Sequence, residues 1–161
     1  MTLREITIRR ATFDDYDAAC ALYRTVDNYH LELYPSIFQE VDGPARPRER
    51  FEAKLSDPLK AVFVAAHRGE LCGLADVTEE EAPPYPMFKP ARIARIDNLV
   101  VAEAYRRRGI ARALLEAVRG WASEHALGRI QLSVYSKNTD ALAFYEDAGF
   151  SPLVMKLELD H

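Results

Sequence analysis

Residues 92–101 read as a strand. They are followed by Arg106-Arg107-Arg108-Gly109-Ile110-Ala111 and then by a long amphipathic stretch. In that stretch Ile110, Leu114, Val118 and Trp121 form one stripe, with Ala111, Leu115 and Ala122 beside it, the spacing of a helix that packs one face on a core. A strand, a tight cationic turn and a core-facing helix in succession commit the chain to a sheet covered by helices. The same turn carries chemistry. Its glycine allows close approach of the backbone, its N–H groups and the helix start present positive partial charge, and three arginines add full charges. That is how a chain builds a cradle for a phosphate chain.

The remaining sequence fits the same architecture. Residues 2–10 alternate around Ile6 and Ile8 as a first strand, and Thr12 or Asp14 can cap a helix that begins near Asp14 and ends before Pro35. Three prolines and one glycine mark residues 34–47 as a loop, and a short helix is expected over 48–55. Residues 61–66 and 71–77 read as a hairpin about His67-Arg68-Gly69-Glu70, and 78–90 as an acidic, then proline-rich loop carrying Tyr85, Met87 and Phe88. Residues 130–135 predict a strand, 140–147 a short helix capped by Asn138 or Thr139, and 153–159 a last strand. The order is strand, two helices, three strands, helix, strand, helix, strand. The pattern is α/β, a central mixed sheet flanked by helices on both faces, and the length of 161 residues suits one domain over 1–161.

Charge and composition exclude several classes. Twenty-one basic against 25 acidic side chains give a net charge of -4, which argues against a broad nucleic-acid coat but not against one local basic site. No apolar run approaches the ~20 residues of a membrane span, and the first residues have no signal-peptide pattern, so a cytoplasmic location is expected. Cys20 and Cys72 stand without a Cys-x-x-Cys spacing and read as reduced thiols. His30, His67, His125 and His161 form no metal-ligand set with neighbouring acids, and no metal is expected. The turn has neither Gly-x-Gly-x-x-Gly nor a phosphate-loop lysine motif, which disfavours a nucleotide module.

With these residues in place, the chain resembles the Gcn5-related N-acetyltransferase (GNAT) superfamily over essentially its whole length. That family's cofactor signature, Arg/Gln-x-x-Gly-x-Gly/Ala, is matched by Arg106, Gly109 and Ala111. It follows Asn98-Leu-Val-Val-Ala-Glu-Ala-Tyr and precedes Asn138-Thr-Asp-Ala-Leu-Ala-Phe-Tyr-Glu-Asp-Ala-Gly-Phe, which is similar to the family's terminal helix and turn. The resemblance implies the GNAT fold and acetyl-CoA as cofactor, with coenzyme A as product. It implies that amides from Arg107 through Arg108, Gly109 and Ile110 to Ala111 hold the pyrophosphate. The strand edge at Leu99, Val100 and Val101 would face the pantetheine arm and thioester, in a gap whose other side is residues 132–135. A strand N–H near Val100 or Val101 would face the thioester oxygen.

The resemblance also implies roles for single side chains. Tyr145 would donate a proton to the departing thiolate, a transfer that the reference values of about 10 for tyrosine and about 8.5 for a thiol permit; packing beside the cofactor is its plainer role. Asn138 would contact the pantetheine or a phosphate, and it also suits a helix cap. Asp97 interrupts an apolar strand, so it faces either a wet cleft, a cation or a structural hydrogen bond. Residues 96–101 resemble the Leu-Glu-Asp-Leu-Tyr-Val segment of polyamine and some aminoglycoside acetyltransferases, where the first acid serves the incoming amine. Aspartate is one methylene shorter, and Asn98 replaces the second acid. His30, Tyr34, Phe38 and Tyr135 are placed at the acceptor pocket. The implied reaction is acetyl transfer to a primary amine of a small molecule by direct attack in a ternary complex. A peptide acceptor and a non-catalytic acyl-CoA sensor are the alternatives, and a C2 homodimer is open because the last strand often joins intersubunit packing in this family.

Overall fold

The computed structural model describes residues 5–159. In chain order it comprises β1 (Ile6–Arg10), a 3-10 turn (Phe13–Asp15), α1 (Tyr16–Leu33), α2 (Arg48–Ser56), β2 (Lys60–His67), β3 (Glu70–Glu81) and β4 (Arg92–Val101). A second 3-10 turn (Glu103–Tyr105), α3 (Ile110–Glu124), β5 (Arg129–Leu132) and α4 (Thr139–Asp147) follow. The sheet order is β1-β2-β3-β4-β5. The first three pairings are antiparallel and β4–β5 is parallel, as expected of a mixed sheet with helices on both faces. Among the described residues no helix is long and apolar enough to cross a membrane.

Two cores form because alternate residues of each strand face opposite sides. Leu74, Val62, Val64 and Val100 pack against Tyr16, Ala19, Leu22 and Tyr23 of α1 and Phe51 of α2. Ala75, Val77, Ala94 and Ile96 pack against the α3 stripe of Ile110, Leu114, Leu115, Val118, Trp121 and Ala122, with Phe144, Ala148 and Phe150 at the margin. Gly73 lets α3 lie this close to β3, since a Cβ there would stand 3.0 Å from Val100 O and 3.2 Å from Leu114. Leu114 is fully buried, and its loss to alanine costs about 2–5 kcal/mol.

The entry to α1 is tied to β1 by Asp15. Its carboxylate accepts the Thr12 backbone N–H at 2.7 Å and the Arg9 guanidinium at 2.7 and 2.8 Å. Helix α1 therefore begins after a 3-10 turn instead of at Asp14, and it ends before Pro35 as expected.

Three expectations need correction, and residues 2–4 of the expected first strand lie outside the described residues. First, the acidic residues 78–81 continue β3, because Arg92 and Arg95 on the neighbouring strand pair with Glu79 at 2.5 Å and Glu80 at 2.8 Å; the loop is confined to 82–91. Second, β5 ends at Leu132 and excludes Tyr135, because β4 and β5 part after the Ile96–Leu132 pair. Third, residues 153–159 form no strand among the described residues. Leu153, Val154, Met155, Leu157 and Leu159 are 72–88% exposed.

Candidate functional site

The strand, turn and helix read from the sequence create two adjoining surfaces. Among the described residues β4 has no strand partner on its β5 side after Ile96, so the backbone edge of residues 97–101 is left unpaired by the sheet on that side. It leads through the second 3-10 turn into the arginine turn. There Arg107 has φ +60° and Gly109 has φ +80°. Gly109 is the N-cap of α3, and the N–H groups of the first helical turn have no intrahelical acceptor. A left-handed glycine directly before such a turn makes a concave ring of donors, the chemistry of a diphosphate cradle. The donor set and the open edge fit a phosphate-bearing cofactor with an amide-containing arm.

The three arginines differ. Arg106 folds back, its Nε donating to Val101 O at 3.3 Å, so it braces the end of β4 against the turn. Arg108 lies over the Tyr105 ring at 5.8 Å from guanidinium carbon to centroid. Arg107 supplies the left-handed residue. The side chains of Leu99 and Val101 pack toward α3 and that of Val100 toward α1, so only their backbone is available at the edge. Ile110 is buried, and Ala111 is half-buried on the first turn of α3.

Opposite the α3 face, a bulge arranges the acids. Asp76 pairs with Asn98 and Val77 with Ile96, so no β3 residue stands opposite Asp97. The extra residue turns Asp97 and Asn98, adjacent in sequence, toward the same side. Asp97 accepts the Thr78 hydroxyl at 2.7 Å and meets Arg95 at 3.0 Å and Lys54 at 3.5 Å. Asp76, 1% exposed, accepts from Tyr23 Oη and Lys54 Nζ, each at 2.8 Å, and from the Asn98 amide at 3.0 and 3.2 Å. The Tyr23 phenol is pushed well above its ordinary value by burial and by Asp76, so it remains a donor.

The expected acceptor residues come together from distant parts of the chain. His30 stacks on Phe38 at 5.3 Å, and Tyr135 contacts His30 at 5.2 Å, Tyr34 at 4.9 Å and Phe38 at 5.4 Å between centroids. Tyr34 Oη accepts the Lys137 backbone N–H at 2.9 Å and meets Ser136 Oγ at 3.1 Å. The segment after β5 is thus latched to α1, which explains why Tyr135 leaves the strand. Burial pushes the His30 imidazole below its ordinary value.

Tyr145 on α4 touches Phe144 and Phe150. Burial pushes its phenol up to about 12. Asn138 caps α4, its Oδ1 accepting the Ala141 N–H at 3.1 Å, so the oxygen is committed to the helix and the amide group alone is left for a ligand. Among the described residues no cluster of His, Cys, Asp and Glu is arranged to hold a metal, and both cysteines are free thiols.

Lys54 and Asp76 were missed by sequence reasoning. Helix α2 carries charge throughout, so Lys54 reads as a surface residue. The available signal was Asp76 itself, a carboxylate between Ala75 and Val77 in an apolar strand, which demands a cation.

Comparison with known proteins agrees with this architecture. A sequence profile described as the acetyltransferase (GNAT) family matches residues 25–150. L-ornithine N5-acetyltransferase NATA1 of Arabidopsis thaliana is 26% identical over 134 residues, 79% of this chain and 58% of that protein, so the match spans under two thirds of that relative. A mutant of the BH1408 protein from Bacillus halodurans superimposes with a TM-score of 0.91 at 28% identity, over 96% of this chain and 99% of the other. AAC(6')-Iy, solved with the bisubstrate analogue CoA-S-monomethyl-acetylneamine, shares the fold at 17% identity and a TM-score of 0.74, over 97% of each chain.

Proposed function

The chain belongs to the acetyltransferase (GNAT) family, and from that premise we propose that it transfers the acetyl group of acetyl-CoA to a primary amine of a small molecule within a ternary complex. The observation that carries the reading is the parting of β4 from β5 after Ile96–Leu132, immediately ahead of the Gly109 turn.

Acetyl-CoA supplies the activated acyl group as a thioester. In this reading the amides of Arg107, Arg108, Gly109, Ile110 and Ala111 hold its diphosphate, and Arg107 and Arg108 add charge. Arg106 braces the turn through Val101 O. The open edge at Leu99, Val100 and Val101 offers N–H and C=O groups to the amide-bearing arm, and the Asn138 amide can donate to it. Preorganised N–H groups at that edge stabilise charge on the acyl oxygen without reorganisation. Tyr145 holds its proton firmly and serves as a hydrogen-bond donor at the departing sulfur. Asp97 orients the amine. His30, Tyr34, Phe38 and Tyr135 wall the acceptor side.

A small acceptor is supported by this aromatic wall, latched to α1 by Tyr34, and by the L-ornithine acetyltransferase among the relatives. A homodimer is supported by the exposed apolar residues of 153–159, since a monomer seldom leaves so much contiguous apolar surface in water. The decisive experiment is calorimetric titration of the cofactor-free protein with acetyl-CoA, followed by an amine screen with thiol detection. One-to-one binding with release of coenzyme A on adding an amine supports the reading. Binding without turnover on any amine, peptide amines included, favours the sensor alternative.

A further inference from the structure

Lys54 Nζ sits between two carboxylates, 2.8 Å from Asp76 Oδ2 and 3.5 Å from Asp97 Oδ2. The Tyr23 hydroxyl and the Asn98 amide complete the shell around Asp76. An ammonium has three donors and no acceptor, and two carboxylates at this spacing make a receptor for one. The β4 bulge places this receptor beside Asp97, where the open edge begins.

The charges balance in pairs. Lys54 compensates Asp76, and Arg95 compensates Asp97 at 3.0 Å. We propose that Lys54 is a specificity-determining residue. Its ammonium fills a cation slot on the acceptor face, and this restricts the enzyme to acceptors whose reacting amine is their only ammonium. The inference rests on the acetyl-transfer reading above and goes beyond it by naming the charge class of the acceptor. A second ammonium on the acceptor finds the slot occupied by like charge, which is discrimination by a repulsive element. Without Lys54 the slot holds a buried, uncompensated carboxylate that recruits the distal ammonium of a diamine.

The test compares 1-aminobutane with 1,4-diaminobutane as acceptors, reading kcat and KM for each. The wild type should disfavour the diamine, with a diamine-to-monoamine ratio of kcat/KM below about one-third. Lys54→Ala should raise that ratio roughly tenfold or more, through a lower diamine KM. Lys54→Arg should keep the wild-type ratio, and Lys54→Ala with Asp76→Asn should return toward it. A wild-type ratio above about one-third, or a ratio unchanged in folded Lys54→Ala, overturns the proposal. If Lys54→Ala does not fold, the wild-type ratio decides alone.

A second readout needs no turnover. The melting temperature of Lys54→Ala should rise further with added 1-aminobutane than that of the wild type or of the double variant, because only the single variant has a vacated slot beside the acceptor site. If neither amine is acetylated, the amine screen above decides the acetyl-transfer reading, and the melting shift decides the slot: a larger rise in Lys54→Ala than in the wild type sustains it, and an equal or smaller one overturns it.

Discussion

Ile96 faces Leu132 in the last parallel rung between β4 and β5, and beyond that pair no strand among the described residues joins the β4 edge on this side. A backbone edge that is open beside two cores invites a ligand with amide groups of its own, by the same hydrogen bonding that adds a strand to a sheet. Amide hydrogen exchange should therefore slow in residues 97–101 and in 107–111 when coenzyme A is added, by about tenfold or more at saturation. Protection confined to other segments would remove the edge and the turn from the cofactor site.

Gly109 adopts φ +80°, where a side chain costs about 1–2 kcal/mol. Gly109→Val should lower the melting temperature by several degrees and weaken acetyl-CoA binding by at least about tenfold, because strain and the intruding side chain act together. Calorimetry reads the second effect apart from the first. Full affinity in a destabilised variant would leave the glycine with a purely conformational role.

Much of this arrangement was legible because it is local. The strand over residues 92–101 has the expected bounds, since its turn and helix neighbours fix both ends, and the α3 stripe is wholly buried as its 3.6-residue period requires. The rings of His30, Tyr34, Phe38 and Tyr135 come together, although Tyr135 arrives from a loop. What was not legible depends on partners distant in sequence. Glu79 and Glu80 read as loop because isolated acids disfavour a strand, until Arg92 and Arg95 stand across from them. Residues 153–159 alternate like a strand, but alternation reports a face that wants burial and not which edge provides it. The bulge at Asp97 has no sequence signature, so the proximity of Asp97, Asn98, Asp76 and Lys54 was out of reach.

His30 should impose a pH dependence on stability. Its burial lowers the folded-state value, against the pull of Asp27 and with the help of Arg46. The unfolded chain then takes up the proton first as pH falls below about 6.5, so stability rises with pH in the window just under that value. His30→Gln should flatten the slope of denaturant midpoint against pH between about 5 and 6.5. An unchanged slope would assign it to other groups.

Asp97→Asn removes the negative charge and one of the two oxygens that together meet Thr78, Arg95 and Lys54. A stability loss of about 1–2 kcal/mol is expected, with a rise in amine KM of roughly tenfold and little change in acetyl-CoA affinity. Stability loss without any change in amine KM would confine Asp97 to holding the bulge.

Tyr145 is the residue whose environment most constrains its chemistry. Its phenol is pushed up to about 12 by burial among apolar neighbours, so full transfer of its proton to a thiolate of reference value near 8.5 runs about 5 kcal/mol uphill. A hydrogen bond to the sulfur needs no such transfer and still favours departure. The folded form of the phenol is neutral, and its contribution to stability is present below about pH 10 and lost as pH rises toward 12. Tyr145→Phe should thus reduce kcat by about 10- to 100-fold, leave acetyl-CoA affinity within about twofold, and leave the melting temperature close to wild type. An alkaline fall in rate below about pH 11 should persist in Tyr145→Phe, because it cannot arise from ionisation of this phenol. A variant with undiminished kcat on a true acceptor would reduce Tyr145 to a packing residue beside Phe144 and Phe150.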